Sequence, residues 1–235
     1  MDKELQDFQE KIGLKFKNIE TLKTVFIHRS YLNEHKAQKI EHNERMEFLG
    51  DAVLELAVTH FLYDNYDKPE GELTNWRSAL VKGESLSAEA KRLELDQLLK
   101  TSRGESKNVG KARDLLLANA FEALIGAIYL DLGIDKARQF ILKNVCYKIE
   151  DIIKNELFYD AKSKFQEMSQ EKFGATPTYE LLSESGPDHN KVFTVIAKIG
   201  DHKVAQGNGS SKQRAQLDAA AEALKVWDTI VRTIK

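Results

Sequence analysis

The chain has 235 residues and a mass of 26.7 kDa, enough for one or two domains with a substantial hydrophobic core. With 42% hydrophobic and 31% charged residues and a formal net charge of −2, it is neither disordered nor fibrous, and bulk charge names no partner. Its one cysteine, Cys146, excludes an internal disulfide and a Cys/Cys metal site.

The N-terminus lacks the basic start and apolar stretch of an export signal, so a cytoplasmic protein is expected. Apolar residues then recur at three- and four-residue spacing up to about residue 156, which predicts an all-α region. The predicted helices are 4–12, 19–26, 43–63, 71–80, 82–93, 112–130 and 134–154, with a glycine- and serine-containing loop over 102–110. The most apolar stretch, residues 115–130, falls short of the roughly 20 residues of a membrane span and carries Glu122, so it reads as a core helix and no membrane partner is expected.

Beyond Phe158 the period changes. A helix over 162–173 precedes a β-like run, Gly186-Pro187, and a run in which Phe193, Val195, Ala197 and Ile199 alternate with Val192, Thr194, Ile196 and Lys198. Another strand at 203–206 and a last helix over 211–234 complete the order helix, three strands, helix. That order fits a small α+β domain whose helices cover one face of an antiparallel sheet. Residues 160–235 carry 11 basic and 10 acidic side chains, so any nucleic-acid contact must depend on where the charges sit.

Within the helix at 43–63, Glu44, Glu47, Asp51 and Glu55 fall in a stripe about 80° wide at about 100° per residue. Like charges about 6 Å apart repel by roughly 3 kcal/mol at an effective dielectric of about 20, a cost that cations offset. The helix at 112–130 is apolar nearly all round yet places Asn119 and Glu122 on one face. A buried carboxylate must be protonated, paired with a base or bound to a metal. Two helices offering oxygen ligands at these spacings can build a site for Mg²⁺ or Mn²⁺. A di-iron bundle would want Glu-x-x-His motifs, which these helices lack. Hard divalent metals on carboxylates typically serve phosphodiester hydrolysis.

His42-Asn43-Glu44-Arg45-Met46-Glu47-Phe48-Leu49-Gly50-Asp51, preceded by Phe26-Ile27-His28-Arg29-Ser30-Tyr31, resembles the signature of the ribonuclease III family, with Met46 for the usual Leu. Ala118-Asn119-Ala120-Phe121-Glu122-Ala123-Leu124 resembles the family's second acidic motif, and the loop with Gly104-Glu105 and Gly110 is similar too. The resemblance implies an all-α nuclease domain over 4–155, acting as a homodimer in which each site cuts one strand of an RNA duplex. It implies Mg²⁺, with Mn²⁺ able to substitute, held by Glu47, Asp51, Asn119 and Glu122. Asp51 and Glu122 would be the catalytic residues, and Glu44 would assist substrate or a second metal. The family usually has Asp where this chain has Asn119, and weaker metal affinity is expected from the lost charge. His28 and Ser30 read as packing or capping residues.

Residues 160–230, beginning Asp160-Ala161-Lys162-Ser163-Lys164-Phe165-Gln166-Glu167, resemble a double-stranded-RNA-binding domain. The resemblance implies duplex contacts from Gln166, from Pro187 and His189 in the first β-loop, and from Ser211, Lys212 and Arg214 at the start of the last helix. A polar helix face and a loop imidazole suit 2′-hydroxyls in the shallow minor groove, while basic residues at a helix N-terminus suit phosphates. Gln213 and Gln216 stand where further basic residues are common, so a shallow salt dependence is expected. Taken by itself, Gly207-Asn208-Gly209 reads as a turn leading into a helix capped by Ser210 or Ser211.

The function implied is Mg²⁺-dependent endonucleolytic hydrolysis of double-stranded RNA to 5′-phosphate and 3′-hydroxyl ends with short 3′ overhangs. Ribosomal, messenger and transfer RNA precursors are the implied substrates. The alternative is a non-catalytic duplex-binding protein disarmed at Asn119, against which the retained carboxylates argue.

Overall fold

Two long helices with a glycine at their crossing organise the N-terminal part of the chain. The computed structural model describes residues 2–35, 40–154, 161–187 and 191–234. The chain divides into two units, Met1–Phe158 and Tyr159–Lys235. The first unit holds α1 (Asp2–Ile12), α2 (Ile19–Val25), α3 (Arg29–Glu34), α4 (Glu44–Asn65), α5 (Glu70–Val81), α6 (Gly83–Arg92), α7 (Leu95–Leu98), α8 (Lys111–Leu132), α9 (Ile134–Asn144) and α10 (Ile149–Lys154). The first six predicted helices form within two residues of their predicted ends. The short α3 and α7 were not anticipated, because four to six residues carry too little periodicity to read.

Helix α8 is the core of this unit. Leu117, Phe121, Leu124, Ile125 and Ile128 are wholly buried, joined by Leu22, Leu54, Val58, Leu80, Leu86 and Ile141 from its neighbours. At 22 residues α8 reaches membrane-spanning length, longer than the apolar stretch in the sequence, but its burial among these helices makes it a core helix. Only its ends emerge, at Leu115 and Leu130.

The crossing of α4 and α8 is set by Gly50 and Gly126. A Cβ on Gly50 would lie 1.8 Å from the Glu122 carbonyl oxygen, and one on Gly126 would lie 2.2 Å from that of Met46. The pairing of Gly50 with Glu122 and of Met46 with Gly126 makes the helices antiparallel and brings their backbones into direct contact. Glycine costs each helix about 1 kcal/mol relative to alanine in propensity, so the close approach is what it provides.

The predicted continuous helix at 134–154 is corrected: it breaks at Val145 (φ −121°, ψ −56°) and resumes as α10 after a 3₁₀ turn at Cys146–Lys148. The break serves a buried carboxylate. Glu89, 3% exposed, receives Arg92 at 2.6 Å, Lys148 at 2.7 Å and the Tyr147 hydroxyl at 2.9 Å. These donors hold the Glu89 carboxyl below its usual range against the opposing effect of burial. Asn144 completes the knot, accepting from Arg92 at 2.7 Å and donating to the Phe140 carbonyl at 2.8 Å. A regular helix could not turn Tyr147 and Lys148 onto Glu89 together.

The second unit runs α11 (Ala161–Phe173), β1 (Thr178–Ser185), β2 (Val192–Ile199), β3 (His202–Gly209), α12 (Lys212–Lys225) and α13 (Trp227–Thr233). The sheet is antiparallel in the order β1-β2-β3. As the alternation predicts, Val195, Ala197 and Ile199 are buried, Ala197 and Ile199 joining Phe165, Ala219, Ala220 and Ala223 in the core. The predicted last helix at 211–234 is also corrected, because it bends at Val226. The bend lets Trp227 meet the Phe165 and Phe173 rings edge-on, with centroids 6.0 and 5.7 Å apart.

Gly50→Ala or Gly126→Ala is expected to destabilise the fold by about 3 kcal/mol or more, since a backbone carbonyl cannot move aside as a side chain would. Urea unfolding checks this beside Gly71→Ala, whose added Cβ meets nothing within 4 Å and which is expected to be neutral or mildly stabilising.

Candidate nuclease site and duplex-binding face

The α4–α8 contact decides which carboxylates meet. Glu47 and Asp51 flank Gly50 on α4, and Asn119 and Glu122 lie one turn apart on α8, where the Glu122 carbonyl faces Gly50. Glu122 is partly buried and its carboxyl is pushed up to about 7, first by burial and then by the charges of Asp51 and Glu47. The Glu47 carboxyl is raised by burial, by Glu44 and by Asp51, while a side-chain hydrogen bond from Asn119 acts in the opposite direction. An aspartate at 119 would remove that donor and add a fourth negative charge.

The predicted stripe of four acids is therefore divided. Glu55 turns to Arg77 at 2.9 Å, and Glu44 to Arg29 at 3.4 Å and His42 at 3.8 Å, leaving Glu47 and Asp51 to face Glu122. Among the described residues no three His, Cys, Asp or Glu side chains converge closely enough to ligate one ion as they stand. Mutual repulsion of the kind that raises Glu47 and Glu122 opposes such convergence. The donor set, carboxylates and one amide oxygen without sulfur or imidazole, fits a hard divalent cation, and an acid raised to about 7 by burial and then by like charges is what such a cation would relieve. Cysteine chemistry is ruled out by burial, which pushes the Cys146 thiol up to about 12.

His28 and Ser30 act as expected, in the backbone. His28 caps α3, its Nδ1 accepting from the Ser30 N–H at 3.3 Å and pairing with the Ser30 hydroxyl at 2.8 Å. That hydroxyl also accepts from the Ser102 N–H at 2.9 Å, which ties the 102–110 loop to the start of α3. Sequence reasoning missed Gly50 and Gly126, although two glycines inside strong helical patterns were the available signal.

In the second unit, Gln166 is exposed on α11, Pro187 is exposed after β1, and His189 lies outside the described residues. Ser211 caps α12, accepting from the Arg214 N–H at 3.2 Å, and Ser211, Lys212 and Arg214 are exposed around that helix start. Residues 207–209 are not a turn: β3 runs through Gly209, and a Cβ on Gly207 would lie 2.0 Å from the Ala219 nitrogen. Glycine is needed there because α12 packs its backbone onto the strand. Gln216 is not at a basic cluster's open edge either, since it accepts from Lys162 at 2.9 Å, and that ammonium also sits over the Tyr179 ring at 5.0 Å.

Comparison with known proteins agrees with this division. Residues 18–149 match the family model described as ribonuclease-III-like, and residues 161–226 match the double-stranded RNA binding motif. The chain is 44% identical over 223 residues to ribonuclease 3 of Clostridium tetani, covering 94% of each chain. It is 44% identical over 219 residues to ribonuclease 3 of Leptospira interrogans, covering 93% of this chain and 88% of that one. Among solved structures, the nuclease domain of ribonuclease III from Campylobacter jejuni matches with a TM-score of 0.52 and 35% identity, over 58% of this chain and 95% of that one.

The raised carboxyl of Glu122 has a definite consequence for stability. Between the ordinary value of 4.5 and about 7 the folded chain binds more protons than the unfolded one. The stability this contributes is fully present below about 4.5 and is lost as pH rises through about 7. In metal-free buffer Glu122→Gln is therefore expected to stabilise the nuclease unit at pH 8 by about 1–2 kcal/mol, after allowance for partial exposure, with the gain vanishing toward pH 4.5. Thermal melts of both proteins across that range check it.

Proposed function

Because the chain belongs to the ribonuclease III family, and is accordingly an endoribonuclease specific for double-stranded RNA, we propose that it cuts duplexes with Mg²⁺ at the α4–α8 carboxylates. The observation that supports this reading is the placement of Glu47 and Asp51 across the α4–α8 contact from Glu122, near enough that their charges add to burial in raising its carboxyl. Glu47, Asp51, Asn119 and Glu122 would hold Mg²⁺, or Mn²⁺ in its place, which when bound supplies Lewis acidity and a water of lowered pKa. By resemblance to the family, Asp51 on α4 and Glu122 on α8 would carry the greatest demand. Asn119 orients Glu47 through its amide and contributes an oxygen. The fixed contact of the two backbones keeps these groups in place while water attacks phosphorus in line and the 3′-oxygen leaves, giving 5′-phosphate and 3′-hydroxyl ends with short 3′ overhangs.

The nuclease domain would span 4–155 and the duplex-binding domain 160–230. Gln166, Pro187 and His189 would reach 2′-hydroxyls, and Ser211, Lys212 and Arg214 phosphates. Ribosomal RNA precursors, structured messenger RNAs and some transfer RNA precursors would be substrates, in the cytoplasm.

A homodimer is supported by one surface. Phe48, Ala52 and Leu56 follow one another at four-residue spacing on the outer face of α4, with Phe48 81% and Leu56 63% exposed, and Leu130 and Ile134 extend the apolar area. Leu49, Val53 and Tyr129 line a groove beside them. A knob and a groove on one face suit a two-fold interface in which each copy receives the other's Phe48. The Campylobacter jejuni nuclease domain is itself described as having a region involved in dimer formation.

Cleavage of a long perfect duplex with and without Mg²⁺ tests the chemistry. The unaltered chain is expected to cut only with the metal and Glu122→Ala to lose at least 100-fold in rate, a loss of about 3 kcal/mol in transition-state stabilisation. If the unaltered chain binds without cutting while Asn119→Asp cuts, it is a duplex-binding protein disarmed at Asn119. Phe48→Glu is expected to sediment as a folded monomer at micromolar concentration. A dimer that survives this change would remove Phe48 from the interface.

A further inference from the structure

Glu44 lies one turn before Glu47 on α4, yet its carboxylate is engaged elsewhere. Its Oε1 is 3.4 Å from Arg29 Nε and its Oε2 is 3.8 Å from His42 Nδ1. The backbones that carry Glu44 and Arg29 are tied to the same short segment. The Asn43 N–H donates to the Ile27 carbonyl at 2.9 Å, and the Asn43 side chain, in a residue 2% exposed, donates to the Val25 carbonyl at 3.0 Å. His28 and Ser30 fix the start of α3, where Arg29 is the first residue. The spacing of the backbones that carry Arg29 and Glu44 is thus set by hydrogen bonds, that of the Asn43 side chain being buried.

The Arg29 side chain is 69% exposed, with Glu44 its one ion-pair partner among the described residues. An ion pair that open to water adds little to folding, so stability does not account for the arrangement. Chemistry nearby does. An RNA strand brought to Glu47, Asp51 and Glu122 carries negative phosphates toward like charges. The Arg29 guanidinium, paired with Glu44 one turn before Glu47, offers such a strand a positive charge and, with Nε on Glu44, still has four N–H groups on its terminal nitrogens, which match a phosphate's geometry.

We propose that Arg29 binds a phosphate of the RNA strand beside the one being cut, and that Glu44 is a positioning residue that aims Arg29 and does not ligate metal. The proposal rests on the duplex-nuclease reading and, of the two roles expected for Glu44, assisting substrate or a second metal, keeps the first and gives it a means, the aiming of Arg29.

The test uses the full chain. Binding to a long RNA duplex in EDTA is measured against salt concentration for the unaltered protein, Arg29→Ala, Arg29→Lys and Glu44→Ala. KM and kcat are measured in Mg²⁺, and binding of Mn²⁺ alone is measured by calorimetry. Arg29→Ala is expected to make the logarithmic salt slope shallower by about one and to raise KM about tenfold with kcat changed less than about threefold. Arg29→Lys is expected to keep the slope but recover only part of the KM, because it keeps the charge and loses the fork. Glu44→Ala is expected to raise KM and leave Mn²⁺ binding within about twofold. An unchanged slope in Arg29→Ala, or loss of Mn²⁺ binding in Glu44→Ala, overturns the proposal while the nuclease reading stands. Failure of the unaltered chain to bind or cut the duplex overturns both, and is visible before any variant is compared.

Discussion

The backbone contact between α4 and α8 is the constraint from which the nuclease unit follows. Gly50 against the Glu122 carbonyl and Gly126 against that of Met46 bring two helix axes closer than any side chain would allow. The same contact forces acids of one helix onto an acid of the other. Packing and chemistry are therefore the same interaction here: the closeness that buries Phe121 and Leu124 also raises the Glu122 carboxyl. Repulsion among carboxylates is tolerated because the dispersion and hydrophobic energy of the surrounding core holds the helices together.

Charge around this crossing is sorted. Glu55 and Glu44 are paired with Arg77 and Arg29, Glu89 is buried behind three donors, and Glu47 and Asp51 act on Glu122, with Glu44 still adding to the field at Glu47. Asn119 fits the same pattern, because an amide there softens the local field while its hydrogen bond favours ionised Glu47. A net charge near zero thus conceals an acidic locality at this crossing, and where charges sit, unlike their total, governs how a polyanion approaches.

The second unit uses close backbone approach for a different purpose. Gly207 and Gly209 let β3 lie against Ala215 and Ala219, which fixes the start of α12 and with it the exposed Ser211, Lys212 and Arg214. Its cation at Lys162 is held inside the unit by Gln216 and Tyr179. In both units glycines set the geometry and the side chains beside them inherit it.

Period, caps and motifs were local properties, and the sequence alone determined the all-α and α+β halves, six helices of the first unit to within two residues, the inward face of β2 and a serine cap at 210 or 211, while its motifs nominated Glu47, Asp51, Asn119 and Glu122. Only the tertiary structure decided which of the four striped acids face Glu122, because partners such as Arg29 and Arg77 come from distant parts of the chain and no helical periodicity encodes them. It also decided the breaks at Val145 and Val226. Local propensity runs on through both, and the gain from turning Tyr147 and Lys148 onto Glu89, and Trp227 onto Phe165, exists only once those side chains have been brought together by folding.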